Sequence, residues 1–211
     1  MIRVLVVDDH ELVRIGLRRV LADYPDIHIA AEGGDGETAL QLSRKLRPDV
    51  VLLDVSLPGL SGFEITRRLR QASPDVAIMI LTVHEQAPYP ERLLEAGASA
   101  YLTKGCPAVE LVEAIRTVAR GGRHIGAAVA QKMALHALPG GKGSPFDGLS
   151  AREMEVLLML TEGLKVAEIA DTMNLSPKTV ATYKYRIYEK LNTRSDVDMT
   201  RMAMRYGLVA A

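Results

Sequence analysis

Short apolar runs alternate with amphipathic segments over the first 120 residues of the chain. Runs that are short, β-branched and continuously apolar are typical of strands buried on both faces of a parallel sheet. Five such runs are predicted strands, at 3–7, 27–32, 50–54, 76–82 and 100–103. Between them, helical spacing with Gly or Pro at the ends predicts helices at 11–23, 35–46, 62–70, 91–96 and 107–120. Strict alternation of strand and helix predicts a doubly wound, five-stranded parallel α/β sheet with helices on both faces.

Beyond residue 122 the pattern becomes helical. An Ala-rich segment at 125–138 predicts a helix, and the Gly/Pro-rich stretch 139–145 is typical of a linker. Ser150 with Glu153 has the spacing of a capping box, which opens the first of four further helices. The predicted organisation is therefore an α/β domain, a linker with a helix, and an all-α four-helix domain, at 1–122, 123–147 and 148–211.

Two helices joined by a three-residue turn are predicted within 166–191. This is the outline of a helix-turn-helix motif, whose second helix enters the major groove of DNA. On that helix Val180, Ile187 and Leu191 share one stripe and should face the domain core. Lysines and arginines on the helix can neutralise phosphates, and other exposed side chains can reach base edges. Charge alone favours the alternative, an amphipathic surface helix in a small bundle.

Composition narrows the class of protein only partly. The chain of 211 residues has 26 Lys and Arg against 26 Asp and Glu, so its net charge predicts no partner. Cys106 is the single cysteine, which excludes an internal disulfide, agrees with a reducing cytoplasm and favours an inert thiol. No apolar run approaches the roughly 18 residues of a membrane span, and no signal peptide pattern is present. We therefore expect a soluble cytoplasmic protein without a membrane partner.

Acidic side chains follow two of the predicted strands. Asp8 and Asp9 follow the first strand, and Asp54 ends the third. Because the carboxyl ends of parallel strands meet at one edge, these carboxylates should converge there. Three carboxylates in one pocket repel each other and require a cation, and oxygen ligands suit Mg²⁺. We expect Mg²⁺ to be held by Asp9, Asp54 and the Ser56 backbone carbonyl, with Asp8 acting through water.

Two further strand ends point to the same edge. Thr82 ends the fourth strand and can donate a hydrogen bond to a phosphoryl oxygen, while Lys104 follows the fifth and can pair with phosphate. Asp54 is then the expected nucleophile, which would become an acyl phosphate. Each of these residues alone is common in proteins. Their occurrence together, at the ends of different strands, indicates phosphoryl transfer, which depends mainly on positioning and charge neutralisation.

Residues 1–122 resemble the receiver domain of bacterial two-component response regulators, which has a flavodoxin-like fold. The motifs are VVDDH, VLLDVSLPGLSG, ILTVH and AYLTKG. The resemblance implies that a sensor histidine kinase phosphorylates Asp54 in the presence of Mg²⁺. It also places Tyr101 at the switch aromatic of the family, although a half-buried strand tyrosine is the plain alternative. Val83 departs from the small residue common after the threonine, with an effect on phosphoryl exchange whose sign stays open.

Residues 148–209 resemble the LuxR-type four-helix DNA-binding domain. The motifs are LSxRExEVL, GLKVAEIA and SPKTV. Together the two halves resemble the NarL/FixJ class, and SPKTVATYKYRIYEKLN with DVDMTRMAMRYGL looks closest to the GacA/UvrY branch. That branch implies control of small regulatory RNA genes.

The LuxR-type resemblance assigns the DNA contacts. Ala181, Thr182 and Tyr185 fall at base-reading positions, and Lys178 and Arg186 at phosphate contacts. The full set of candidate DNA contacts is Lys178, Thr179, Ala181, Thr182, Lys184, Tyr185, Arg186 and Lys190. Lys184 stands where many relatives have an aliphatic residue. The final helix, at 195–206, serves in the family as a dimer contact on DNA, although its apolar residues could equally be simple core.

The expected function is therefore that of a phosphorylation-regulated transcription regulator. It would form a homodimer when phosphorylated, bind two-fold-related sites in promoter DNA and activate transcription, with RNA polymerase as a further candidate partner. We do not expect an enzyme beyond slow self-dephosphorylation. One alternative is a phosphorylation-independent regulator with a vestigial receiver. Another is an aspartate-nucleophile phosphatase of the haloacid dehalogenase type, which would need a second acid where Ser56 stands.

Overall fold

The structure of the protein, a computed structural model, describes residues 1–58, 60–84, 89–137, 144–206 and 208–209. It divides into two compact units, one built mainly from residues 1–132 and the other mainly from residues 133–211. Most of the predicted linker, 139–143, and Gly59 of the predicted turn at 57–59 lie outside the described residues.

The first unit alternates strands and helices. Its strands are β1 Ile2–Val7, β2 Ile27–Gly33, β3 Val50–Leu53, β4 Ala77–Thr82, β5 Ala100–Thr103 and β6 His124–Ile125. Its helices are α1 Glu11–Leu21, α2 Gly36–Leu46, α3 Gly62–Ala72, α4 Tyr89–Glu95 and α5 Ala108–Ala119. All strand pairs are parallel, in the order β2-β1-β3-β4-β5-β6. The predicted doubly wound fold is confirmed.

The sixth strand corrects the predicted count of five. Its residues His124–Ile125 fall at the start of the segment predicted as linker and helix. Strand β6 pairs with β5, and the Gly126 N–H then donates to the Tyr101 carbonyl at 2.9 Å. The helix of this segment, α6, is Ala127–Ala137. Two residues are too few to show an alternating pattern, so this strand exists only because a neighbouring strand is available.

The middle of the sheet is the core of the first unit. Every residue of β3, β4 and β5 is buried, which explains why these strands are continuous apolar runs. Helices that cover both faces supply the rest of this core. Fully burying each Val, Leu or Ile side chain stabilises the fold by about 1.5–3 kcal/mol relative to exposure. The sheet is therefore a rigid support for the loops at its carboxyl edge.

Among the described residues from 144 onwards, four helices are joined by short turns, as predicted. They are α7 Ala151–Thr161, α8 Val166–Met173, α9 Pro177–Leu191 and α10 Asp196–Arg205. Ser150 and Glu153 form the predicted capping box of α7, and Ser176 caps α9, with Pro177 in its first turn. Asn174 has a left-handed conformation (φ 52°), which ends α8 and allows the tight turn into α9.

The buried faces of these helices form a separate small core. The predicted stripe of Val180, Ile187 and Leu191 is buried. The apolar residues of α10 that could be simple core are Met199, Met202 and Ala203; Met199 and Ala203 are buried, which confirms that interpretation for these two, and Met202 is half-buried. Among the described residues, no helix combines the length and apolar character that a membrane span requires.

Two glycines allow a matched test of the packing of the first unit. A Cβ at Gly62 would lie 2.8 Å from the Cα of Val55, whereas a Cβ at Gly16 in α1 would meet nothing within 4 Å. We expect Gly62→Ala to lower the free energy of unfolding by about 1–3 kcal/mol, because the backbone must shift. Gly16→Ala should raise it by about 0.5–1 kcal/mol. Urea unfolding checks both, and equal effects of the two variants would contradict this packing.

Candidate functional site

Polar side chains follow four neighbouring strands at one edge of the sheet. Asp8 and Asp9 follow β1, Asp54 follows β3, Thr82 ends β4 and Lys104 follows β5. These four strands are adjacent and parallel, so their carboxyl ends lie side by side. This edge is where open α/β sheets bind ligands.

Backbone hydrogen bonds continue past the strand ends and hold these residues in place. The Asp54 N–H donates to the Val7 carbonyl at 2.9 Å, and the Lys104 N–H donates to the Thr82 carbonyl at 2.8 Å. The backbone of Asp54 and Lys104 is therefore hydrogen-bonded to the central strands of the sheet.

Lys104 lies between two buried carboxylates. Its Nζ is 2.7 Å from Asp8 Oδ2 and 2.7 Å from Asp54 Oδ2. The two aspartates are only 2% and 3% exposed. Burial opposes the charge on the ammonium group, but the hydrogen bonds to Asp54 and Asp8 outweigh it and raise the pKa of Lys104. Lys104 is therefore charged at neutral pH and balances part of the negative charge of the pocket.

The remaining oxygens of the same carboxylates are held by the backbone. Asp54 Oδ1 accepts from the N–H groups of Val55, at 2.7 Å, and Ser56, at 3.3 Å. Asp8 Oδ1 accepts from the His10 N–H at 2.9 Å. Each carboxylate thus has one oxygen fixed by main-chain donors and the other directed to Lys104, which gives the pair a defined orientation.

The acidic pocket has the donor set of a divalent cation site. Ligand atoms of Asp8, Asp9, His10 and Asp54 all lie within 4.8 Å of one another. Three carboxylates against a single ammonium leave excess negative charge, and carboxylate oxygens suit a hard divalent cation. His10 was missed by the sequence analysis, although it follows the two acids directly. Its Nδ1 lies 2.8 Å from Asp9 Oδ1.

His84 connects the site to the predicted switch residues. Its Nε2 lies 3.0 Å from Ser56 Oγ, its N–H donates to Thr82 Oγ1 at 3.4 Å, and its carbonyl accepts from the Tyr101 hydroxyl at 2.6 Å. Burial lowers the pKa of His84. The negative charge of Asp54 acts in the opposite direction, and the positive charge of Lys104 lowers the His84 pKa further. His84 ends the ILTVH motif, which was the one sequence signal that could have identified it.

Tyr101 and Val83 lie in different environments. Tyr101 is fully buried, so the expectation of a half-buried tyrosine is wrong, because β5 lies inside the sheet between β4 and β6 and every residue of the strand is buried. Val83 is 66% exposed and directly follows Thr82, the last residue of β4. Its side chain is therefore available to affect access to the site.

Cys106 belongs neither to the acidic pocket nor to the candidate DNA contacts. Burial raises the pKa of its thiol, and nearby Glu110 adds to the effect. The thiol is therefore protonated at neutral pH, in line with the inert role expected from the sequence.

Helix α9 presents the predicted nucleic-acid face. Six predicted contacts are exposed along it: Lys178, Ala181, Thr182, Tyr185, Arg186 and Lys190. Thr179 instead contacts the helix cap, with its Oγ1 2.8 Å from Ser176 Oγ. A shallow concave surface at the start of the helix is lined by Ser176, Lys178, Thr179, Thr182, Tyr183 and Arg186. Tyr183 was not among the predicted contacts.

Two predicted DNA contacts form ion pairs inside the second unit. Lys184 Nζ lies 2.6 Å from Asp196 Oδ2, and Lys190 Nζ lies 2.6 Å from Oε2 of the buried Glu153. Among the described residues, Lys184 and Lys190 of α9 are thus paired within the second unit whereas Lys178 and Arg186 form no ion pair, a division that the sequence did not indicate.

The fold and the two sites define a signalling regulator that joins a receiver to a DNA-binding unit. Residues 4–116 match the response regulator receiver domain, and residues 147–203 match the luxR family of bacterial regulatory proteins. The chain therefore belongs to the response regulator family of two-component systems and carries a LuxR-type helix-turn-helix DNA-binding domain. The predicted family is confirmed. The match to the luxR family favours a helix-turn-helix over the alternative that α9 is only an amphipathic surface helix.

Its relatives place it near the predicted branch. The chain is 49% identical over 212 residues to response regulator GacA of Pseudomonas aeruginosa, covering 100% of this chain and 99% of the relative. It is 48% identical over 212 residues to response regulator UvrY of Escherichia coli, covering 100% and 97%. RcsB from Salmonella enterica serovar Typhimurium, solved bound to the rprA promoter with the phosphomimetic BeF₃⁻, aligns with a TM-score of 0.78 at 25% identity, covering 96% and 98%.

Lys104 can be tested as the counter-charge of the acidic pocket. We expect Lys104→Met to lower the free energy of unfolding by roughly 3 kcal/mol at neutral pH, because two buried carboxylates lose their partner. Denaturant unfolding at neutral pH checks this, with the exposed Lys45→Met as control. Equal stability of the two variants would show that the ion pairs carry no weight.

Proposed function

We propose that this protein is a phosphorylation-regulated transcription regulator, which accepts a phosphoryl group on Asp54 from a sensor histidine kinase and binds promoter DNA through α9. The observation that carries the proposal is the position of Lys104, 2.7 Å from both Asp8 and Asp54. This contact brings a nucleophilic carboxylate, a neighbouring acid and a fixed positive charge to one edge of the sheet. These are the parts that phosphoryl transfer requires.

In the proposed reaction Asp54 attacks the phosphorus of a phosphohistidine on the kinase. The bond between the histidine nitrogen and phosphorus breaks as a bond from phosphorus to the Asp54 carboxylate oxygen forms. Lys104 pairs with a phosphoryl oxygen, and the Thr82 hydroxyl donates a hydrogen bond to another. Asp8, Asp9, Asp54 and the Ser56 carbonyl would hold Mg²⁺, which when bound neutralises charge on the phosphoryl oxygens.

Phosphorylation replaces the single negative charge of the Asp54 carboxylate with a phosphoryl group that carries about −1.5 to −2 charges, beside Lys104 and Thr82. His84 contacts both Thr82 and Tyr101. Movement of the Thr82 hydroxyl towards the phosphoryl group would therefore change the contacts of Tyr101. We propose that Tyr101 is the switch residue and that phosphorylation shifts a pre-existing equilibrium towards the active state. The receiver, linker and output domain are proposed to span 1–122, 123–147 and 148–211.

The active state is proposed to be a homodimer on two-fold-related promoter sites. The solved complex of RcsB with promoter DNA and BeF₃⁻ supports this mode of action by analogy. We further propose transcriptional activation, with small regulatory RNA genes, which the resemblance to the GacA/UvrY branch implies, among the targets and RNA polymerase as a partner.

An enzymatic phosphatase is the less favoured function. Such a phosphatase uses a second acid two residues after the nucleophile, but Ser56 occupies that position here. The Ser56 hydroxyl lies 3.0 Å from His84 Nε2. We propose only slow self-dephosphorylation, without steady turnover of small phosphate esters. The complete acidic set likewise supports an active receiver over a vestigial one.

Asp54→Asn tests the phosphoacceptor directly. The variant should fold but lose labelling by radioactive acetyl phosphate, because an amide cannot form the acyl phosphate. Wild-type labelling should disappear with EDTA and return with MgCl₂. Binding to promoter DNA should increase with beryllofluoride for the wild type only. A variant that still gains affinity from beryllofluoride would remove Asp54 from the mechanism.

Lys178→Ala tests the DNA face. Lys178 is exposed at the start of α9, so its loss should weaken binding to specific and mixed-sequence duplexes alike. The slope of log K against log salt should flatten by about 1. Fluorescence anisotropy over a salt series measures both quantities. An unchanged slope would remove Lys178 from the phosphate contacts.

A further inference from the structure

We propose that Lys184 is a positioning residue that ties the recognition helix α9 to α10 and makes no contact with DNA phosphate. The inference rests on the proposed function of α9 as the DNA-reading helix. It reassigns one of the cations that the sequence analysis placed among the DNA contacts.

Lys184 belongs to a three-residue cluster with Tyr188 and Asp196. Its Nζ donates to Asp196 Oδ2 at 2.6 Å, and the Tyr188 hydroxyl donates to Asp196 Oδ1 at 2.7 Å. Nζ also lies 5.6 Å from the centre of the Tyr188 ring. Both oxygens of one carboxylate are therefore held by side chains from successive turns of α9, which fixes the orientation of Asp196.

Asp196 is the first residue of α10. Its predecessor Ser195 caps this helix by accepting from the Asp198 N–H at 3.1 Å. A carboxylate in the first turn of a helix is also favoured by the unpaired N–H groups and the dipole of the helix. The cluster thus connects α9 to the point where α10 begins, across the turn that follows Asn192 in its left-handed conformation (φ 51°).

The ion pair is partly shielded from solvent. The side chains of Lys184 and Asp196 are 25% and 45% exposed. Burial opposes both charges, but the hydrogen bonds between the partners outweigh it, so the pKa of Lys184 is raised and that of Asp196 is lowered. Both groups are charged at neutral pH and neutralise each other.

Two other cations of α9 differ in this respect, whereas Lys190 is paired with Glu153. Lys178 and Arg186 are exposed and form no ion pair with any other described residue. Such groups can neutralise DNA phosphates and release the cations condensed on the DNA, whereas Lys184 would have to leave Asp196 first. Its contribution to DNA binding is therefore to hold the helix that carries Thr182 and Tyr185.

A double-mutant cycle tests the proposal. The variants are Lys184→Met, Asp196→Asn and both together, with Lys184→Arg as the conservative variant that keeps the ion pair. Affinity for a mixed-sequence DNA duplex is measured by anisotropy over a salt series. We expect each single change to weaken binding roughly two- to fivefold, the double variant to be no weaker than either, and the salt slope to stay unchanged. Lys184→Arg should bind as the wild type does.

Other outcomes would overturn the proposal. A salt slope flattened by about 1 in Lys184→Met, with tighter binding by Asp196→Asn, would make Lys184 a phosphate contact. The cluster would have a role in stability alone if the losses of DNA affinity in the two single variants were additive in the double variant. The same conclusion would follow if the two changes were coupled in the unfolding free energy but not in DNA affinity. Failure of the wild type to bind DNA would instead overturn the proposed function, which distinguishes the two failures.

Discussion

Repulsion among three carboxylates at one edge of a parallel sheet is the constraint on which the receiver depends. Burying Asp8 and Asp54 side by side is costly unless positive charge lies between them, and the Lys104 ammonium lies 2.7 Å from each. The same constraint makes the pocket suited to phosphoryl transfer. Under the proposed function, a phosphoryl group on Asp54 competes for Lys104 and thereby changes the contacts that hold the site.

Tyr101 joins this site to the region that follows the receiver. Its hydroxyl donates to the His84 carbonyl at 2.6 Å, and its own carbonyl accepts from the Gly126 N–H at 2.9 Å. The residues just before α6 are therefore paired with the strand that carries the predicted switch. A change at the acidic edge has a continuous path of hydrogen bonds through Thr82, His84 and Tyr101 to β6.

Paired charges have a different role in the output domain. Lys190 meets the buried Glu153 of α7, and Lys184 meets Asp196 of α10, so α9 is held on two sides by ion pairs. Under the proposed function, Lys178 and Arg186 of the same helix, which form no ion pair among the described residues, are the cations available to nucleic acid. A helix can in this way carry several lysines and arginines while only part of its charge serves binding.

Local pattern was sufficient to predict most of the fold and the acidic set. Strands buried on both faces are continuous apolar runs, helices repeat every 3.6 residues, and strand ends in a parallel sheet meet at one edge. Asp8, Asp54, Thr82 and Lys104 could therefore be placed together from their positions after predicted strands. The buried stripe of α9 followed from the same local rules.

Tertiary structure decided the features whose partners are distant in the chain. Strand β6 exists because β5 offers a free edge, His84 meets Ser56 across 28 residues, and Lys190 meets Glu153 across 37. Whether a lysine on an exposed helix faces DNA or a carboxylate of its own domain depends on the packing of neighbouring helices. No periodicity in the sequence encodes that choice, because the side chains are brought into contact only when the domain folds.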